Sequence, residues 1–218
     1  MFFSHKGGPD WIETQLVRRG ITDRRVLEAM AAVDRGDFMP PTLTRMATYD
    51  GPLPIGCGQT ISQPYVVALS LQGLALTGSE KVLDVGTGSG YQAALLARLA
   101  AEVFTVEAHH RLFITAKPAL ERAAGCPIHT RQGDGSLGWP EEAPFDAIVV
   151  GARAPRLPPS LADQLAPHGR LVIPLGGETS QTLYRIQKRA DGSLDKLPLE
   201  QVVFVPLMGK EGVGGMPD

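Results

Sequence analysis

The chain has 218 residues, of which 43% are hydrophobic and 20% charged, as in a soluble globular protein with chain enough for one substantial core. A net charge of −2 leaves no electrostatic case for nucleic acid or an anionic membrane. No apolar run is long enough to span a bilayer, and the opening Met1-Phe2-Phe3-Ser4-His5-Lys6 lacks the pattern of a signal peptide. Cys57 and Cys126 stand apart without metal-ligand spacing, which points to a reducing compartment, the cytoplasm, and to no disulfide framework.

In chain order, residues 10–33 read as two short helices. Asp10 is placed to cap the first, with Trp11, Ile12, Leu16 and Val17 on its apolar side and Gly20 at its end. Asp23 is placed to cap the second, with Val26, Leu27, Met30 and Val33 facing inward. Residues 35–63 are rich in proline and glycine and show little periodicity. A loop of that length is usually functional or disordered, and the varied sequence of 52–64 favours function. Pro64 suits the first turn of a helix continued by Val66, Val67, Ser70, Leu71 and Leu74, with Gly78 past its end.

The apolar run 81–85 predicts a strand. It ends in Asp84-Val85, meets Gly86-Thr87-Gly88-Ser89-Gly90, and gives way to a helical pattern over 89–100. Strand, tight turn, helix is the opening of a nucleotide-binding α/β unit, and glycines there let backbone approach a ligand closely. The spacing is G-x-G-x-G, not the G-x-G-x-x-G of dinucleotide enzymes. With Asp84 two residues ahead of the first glycine, it resembles the first motif of S-adenosylmethionine-dependent methyltransferases.

Further strands are expected at 102–106, 127–131, 145–150 and 169–174, with helices at 110–123 and 159–165. Two more strands, 181–189 and 197–207, are joined through Asp191-Gly192, a good hairpin turn, and the glycine-rich tail 210–218 is expected to fray. Strands alternating with helices imply a mostly parallel sheet with ligands at the carboxyl ends of its strands.

Three features fall at such ends: the glycine turn, Glu107 after the second strand, and Gly133-Asp134-Gly135 after the third. An acid at Glu107 can accept both hydroxyls of a ribose, although a solvated carboxylate ahead of a helix is the plainer reading. Asp134 between glycines can meet an adenine amino group, or simply make a turn. Ser62 can donate a hydrogen bond to a substrate or cap the helix that starts at Pro64.

Beyond these, Pro52–Gly56, Gly58-Gln59-Thr60-Ile61-Ser62-Gln63-Pro64, Val82–Gln92, Gly133–Gly135, Pro144–Ile148, Leu165–Pro167, Gly169–Pro174 and Phe204–Leu207 resemble the protein-L-isoaspartate (D-aspartate) O-methyltransferase family over roughly residues 10–209. The resemblance implies an α/β fold of the class I S-adenosylmethionine-dependent, Rossmann-like kind. Its parts would be a doubly wound, mostly parallel seven-stranded sheet, an N-terminal helical extension and a C-terminal antiparallel hairpin. It implies one domain, with helices and a lid loop at 10–80, the nucleotide-binding core at 81–209 and a flexible tail at 210–218. It also implies methyl transfer from S-adenosylmethionine, leaving S-adenosylhomocysteine, to the free α-carboxylate of L-isoaspartyl and D-aspartyl residues in damaged proteins, which starts repair through a succinimide.

The family's active-site serine falls on Ser62. Its cofactor contacts fall on Thr60, Ile61, Ser62 and Gln63, on Asp84 and the turn at Gly86, Thr87, Gly88 and Gly90, on Glu107 with Ala108, and on Asp134 with Gly135. No metal is expected: His109 and His110 are adjacent, share no helix face and lack partner ligands. The expected partners are isoaspartyl peptides and proteins, not nucleic acid or membrane, and the chain is expected to act as a monomer. Thr48 and Arg153 depart from the family pattern, and Arg153 reads as a solvated loop residue or a partner for the acceptor's carboxylate. They keep open an enzyme that esterifies an aspartate of one dedicated peptide. A non-catalytic cofactor-binding module is the rival from another class. Trp139 is expected to pack near the nucleoside loop.

Overall fold

The computed structural model describes residues 11–217, so the expected cap Asp10 lies outside the described residues. Helix α1 (Trp11–Gln15) tightens into a 3-10 turn at 17–19 and stops at Gly20, whose φ of 93° only glycine adopts freely. Ile12 and Leu16 are buried, but Val17 is exposed, because the tighter turn rotates it off the apolar face. In α2 (Arg24–Ala32) the Asp23 side chain accepts the N–H groups of Arg25 and Val26, the expected cap.

The stretch read as one long loop has structure of its own. Two 3-10 helices cover Arg35–Phe38 and Pro41–Met46. A hairpin follows, β1 (Leu53–Gly56) against β2 (Gln59–Ile61), turning through Cys57 and Gly58, both at positive φ. Two positive-φ residues at a hairpin tip match the right-handed twist of the strands. The strands escaped the periodicity argument because they are three or four residues long and Pro54 sits in one, which suits a two-stranded edge.

Helix α3 (Pro64–Leu74) starts on its proline and ends on Ala75 in the left-handed region, ahead of Gly78. Then come β3 (Lys81–Val85), α4 (Tyr91–Leu96), β4 (Glu102–Glu107), α5 (His110–Arg122), β5 (Ile128–Gln132), β6 (Phe145–Val150), α6 (Pro159–Asp163), β7 (Leu165–Gly176), β8 (Gln181–Lys188) and β9 (Leu194–Val202). The sheet order is β5-β4-β3-β6-β7-β8-β9, parallel from β5 to β7 and antiparallel through β8 and β9. This is the doubly wound, mostly parallel seven-stranded sheet that was expected, closed by an antiparallel hairpin. The last strand stops at Val202, not 207. Beyond it the chain leaves the sheet, and Arg153 N donates to Val205 O at 2.8 Å while Leu207 N donates to Arg153 O at 2.8 Å.

Alternation on the central strands covers both faces. Val82, Val103, Ala147, Val149 and Val172 pack with α1–α5, while Leu83, Val85, Val106, Ile148 and Ile173 pack with Leu161 of α6 on the other side. The strand order reverses between β3 and β6, so the crevice outside their carboxyl ends is where such a sheet binds ligands.

The expectation of a frayed tail fails for 210–213. Lys210 N donates to Asp134 Oδ2 at 2.8 Å, Glu211 N to Ser136 Oγ at 2.9 Å, and Val213 N to Leu207 O at 2.7 Å. Glycine content argued for looseness; hydrogen bonds to distant loops decide otherwise.

Candidate active site

The glycine turn hangs from the neighbouring strand. Gly86 N and Thr87 N both donate to Val106 O, and Gly86, Gly88 and Gly90 all have positive φ. Gly88 N donates to Glu107 Oε2 at 2.7 Å, and His109 N donates to Oε1 at 2.9 Å. Glu107 is 4% exposed and lines the cleft with Gly86, Gly88, Ala108, Leu112 and Gly135. It is therefore not the solvated carboxylate of the plainer reading. Each of its oxygens keeps a second lone pair for a ligand hydroxyl. Gly135 lies hard against the floor, since a Cβ there would come within 2.8 Å of Val85 Cγ1.

Asp84 does not reach the cleft. It is fully buried, its Oδ1 accepts Gln92 Nε2 at 2.8 Å and its Oδ2 accepts Thr105 Oγ1 at 2.8 Å. Thr105 spends its proton on Asp84, so the 2.7 Å contact between Thr87 Oγ1 and Thr105 Oγ1 has Thr87 as donor. Asp84 thus holds the glycine turn from beneath. Burial pushes its pKa up, the Gln92 and Thr105 bonds pull it back, and the Glu107 charge adds to the rise, leaving it at about 6. Gly90 is likewise off the cleft, capping α4 where a Cβ would come within 3.0 Å of Leu120.

Asp134 is also used within the protein. Its Oδ1 accepts Ser136 N and Ser136 Oγ, and its Oδ2 accepts Lys210 N. Gly135, not Asp134, is the member of that loop on the cleft wall.

On the opposite side stands the hairpin and the residues after it. Thr60 and Gly151 border the cleft, a narrow gap above Gly86–Ser89, and a second chamber of about 370 Å³. Ser62 borders the gap and the chamber, Ile61 the gap, and Gln63 the chamber. Gln63, not Ser62, is the N-cap of α3, and no side chain caps that helix, so the capping alternative for Ser62 falls. The Ser62 hydroxyl has no protein partner among the described residues. Gln59 Nε2 lies 3.2 Å from His109 Nε2, joining the hairpin to the turn that follows Glu107.

Arg35 organises this segment, and motif reading missed it. Only 3% exposed, its guanidinium donates to the carbonyl oxygens of Ala47, Tyr49, Gly51, Ile61 and Ser62. Burial lowers its pKa, with Tyr91 and Asp50 opposing. Nothing local marks it; the available signal was that a proline-rich segment without apolar periodicity needs donors for its carbonyls. Leu207, also on the cleft wall, belongs to the Phe204–Leu207 stretch of the resemblance but was given no role there, and Met208 beside it carried no signal.

The two departures lie off the chamber. Thr48 is not among its lining residues, and its carbonyl accepts Gln15 Nε2. Arg153 is 9% exposed, so it is no solvated loop residue, and it is not among the chamber's lining residues. Trp139 packs edge-on against Phe104 at 5.4 Å, as expected of a packing residue.

Residues 10–212 match the profile of the family described as protein-L-isoaspartate(D-aspartate) O-methyltransferase. The chain is 52% identical over 203 residues to the protein-L-isoaspartate O-methyltransferase of Geobacter metallireducens, covering 93% of this chain and 94% of the relative. It is 55% identical over 190 residues to that of Anaeromyxobacter dehalogenans, covering 86% and 91%. A Plasmodium falciparum protein-L-isoaspartate O-methyltransferase, solved in complex with S-adenosyl-L-homocysteine, superposes with a TM-score of 0.75 at 33% identity, covering 91% of this chain and 96% of that one.

Proposed function

This chain belongs to the protein-L-isoaspartate (D-aspartate) O-methyltransferase family, and on that premise we propose which of its residues hold the two reactants. The activity is transfer of a methyl group from S-adenosylmethionine to the free α-carboxylate of isoaspartyl residues in damaged proteins. The ester closes to a succinimide, and its hydrolysis returns some normal aspartyl linkage.

The cleft residues fit the cofactor. A buried carboxylate with free lone pairs faces a turn whose glycines leave backbone uncovered, which is what a ribose diol beside a charged amino-acid tail needs. In our reading Glu107 takes the ribose hydroxyls. Gly86, Thr87, Gly88, Ala108 and Gly135 shape the floor, and Thr60, Ile61 and Ser62 close the methyl end. Gln63 belongs to the acceptor side, and Asp84, Gly90 and Asp134 act through the turn and loops that they hold.

The observation that carries the assignment is that Thr60 borders the cleft, the gap above the glycine turn and the second chamber, while Ser62 borders the gap and the chamber. A group there can touch donor and acceptor together. The bound cofactor supplies a methyl already activated on sulfonium sulfur. The acceptor carboxylate is ionised at neutral pH, so no strong general base is needed. The chain's task is alignment and exclusion of water, which contributes up to ~7–11 kcal/mol in the best oriented cases. Ser62 Oγ–H is free to donate to the acceptor carboxylate and orient it. No charged residue lines the chamber among the described residues, so no cation competes for the carboxylate's electron pair. The hairpin and the 47–63 segment serve as the lid over the cofactor.

The test is an incubation with labelled S-adenosylmethionine and two peptides, one isoaspartyl and one aspartyl. Base-labile label on the isoaspartyl peptide alone is expected; label on both, or on neither, counts against the reading. A dedicated peptide partner loses its support, because neither Thr48 nor Arg153 lines the chamber. We also read the chain as one functional unit, acting as a monomer in the cytoplasm. The unpaired Cys57 and Cys126 support the reducing setting. No helix among the described residues is long and apolar enough to cross a membrane.

A further inference from the structure

The C-terminal segment crosses the nucleoside end of the cleft and is fastened on both sides. At one side Leu207 N donates to Arg153 O. At the other, Lys210 N and Glu211 N reach Asp134 Oδ2 and Ser136 Oγ. Gly209 lies so close to that loop that a Cβ would stand 1.9 Å from Asp134 Oδ1, and its φ is 137°. The outermost fastening is a side chain. Glu211 Oε2 accepts Ser160 N at 2.9 Å and Oε1 accepts Ser160 Oγ at 2.9 Å. Between the fastenings Leu207 and Met208 face the cleft alongside Gly88, Glu107 and Gly135.

From this we infer that Glu211 is a positioning residue for the cofactor: by anchoring 207–213 to Ser160 it presses Leu207 and Met208 into the wall that covers the nucleoside. This explains why Asp134 is turned to the segment and not to the cleft. A short glycine-rich terminus has many conformations to lose on ordering. Two charge-assisted bonds from Glu211 offset that loss before the cofactor arrives, so the wall is preformed. Among the described residues the acceptor chamber shares only Thr60, Gly151 and Val205 with the cleft, and Ser62 lines the chamber and the gap above the glycine turn, not the wall that holds Leu207 and Met208. The inference rests on the assignment of the cleft to the cofactor.

The test uses the full chain and S-adenosylhomocysteine as the binding probe, with initial rates on an isoaspartyl peptide. Glu211→Ala is expected to weaken S-adenosylhomocysteine binding by about tenfold, from the loss of two hydrogen bonds to a charged group. It should raise KM for S-adenosylmethionine by a similar factor, with kcat and peptide KM within about twofold. Glu211→Gln is expected to recover most of the binding. Its amide oxygen still accepts Ser160 N–H, and its amide N–H can donate to the Ser160 hydroxyl. A general structural role would instead lower kcat and raise both KM values together, and that pattern, or unchanged binding in Glu211→Ala, overturns the inference. Should Glu211→Ala fail to fold, Ser160→Ala decides the matter: weaker cofactor binding supports the strap and unchanged binding sinks it. Glu107→Gln is the control. If it too binds S-adenosylhomocysteine normally, the cofactor assignment itself is wrong; if it alone loses binding, only the strap is.

Discussion

Arg35 Nη2 donates to the carbonyl oxygen of Ser62 at 2.9 Å from a guanidinium that is 3% exposed. One buried cation therefore sets the backbone of the residue that we place against the acceptor. It holds four further carbonyls of 47–61 at the same time. The chemistry and the stability of this segment are linked through it.

Arg35→Lys should destabilise the protein by about 2–3 kcal/mol, because an ammonium has three donors where the guanidinium serves five carbonyls and the rest are left buried and unpaired. Urea unfolding of both proteins checks this. A loss under about 0.5 kcal/mol, the scale of an ordinary surface substitution, would show that water replaces the lost bonds.

Ser62→Ala removes a hydroxyl that bonds nothing in the protein, so stability should stay within about 0.5 kcal/mol of wild type. Activity should behave differently: kcat is expected to fall by about tenfold to a hundredfold through loss of one orienting donor. Wild-type kcat in the variant refutes the role for Ser62.

Glu107→Gln should weaken cofactor binding by roughly thirtyfold, or about 2 kcal/mol, since a carboxylate accepts from diol and backbone alike while an amide nitrogen cannot accept. Calorimetric titration with S-adenosylhomocysteine gives the number directly. Peptide KM at saturating cofactor should move little.

Asp84 makes a prediction of opposite sign to the usual carboxylate. Its pKa is about 6 in the fold against 3.8 for the ordinary group, so the folded state holds the proton more tightly than the unfolded one. Its contribution is therefore fully present below about pH 4 and is lost as pH rises through about 6, with a total of about 2–3 kcal/mol. Asp84→Asn has no proton to lose and can keep the Gln92 and Thr105 contacts. The stability of wild type minus that of Asp84→Asn should fall between pH 4 and 6; a flat difference over this window defeats the prediction.

Arg153→Ala should leave peptide KM within about twofold, because the side chain is buried and does not line the chamber. Steady-state kinetics on an isoaspartyl peptide decide. A tenfold rise in peptide KM would return Arg153 to the acceptor.

By itself the sequence determined the elements and the kind of ligand. Strand 81–85, the glycine turn and the capping of α2 by Asp23 are set by contacts within a few residues, and alternation and glycine placement report such contacts directly. Glu107 could be placed because a strand end is a position in the chain as well as in space. What only the tertiary structure decided depends on partners far apart along the chain. Arg35 meets Ser62 across 27 residues, Asp84 meets Thr105 across 21, and Asp134 meets Lys210 across 76. An acid after a strand and an acid beneath a turn look alike as letters. Burial and the identity of the donor that reaches each oxygen made Glu107 a wall of the cleft, Asp84 its hidden support and Asp134 the anchor of the chain's own tail.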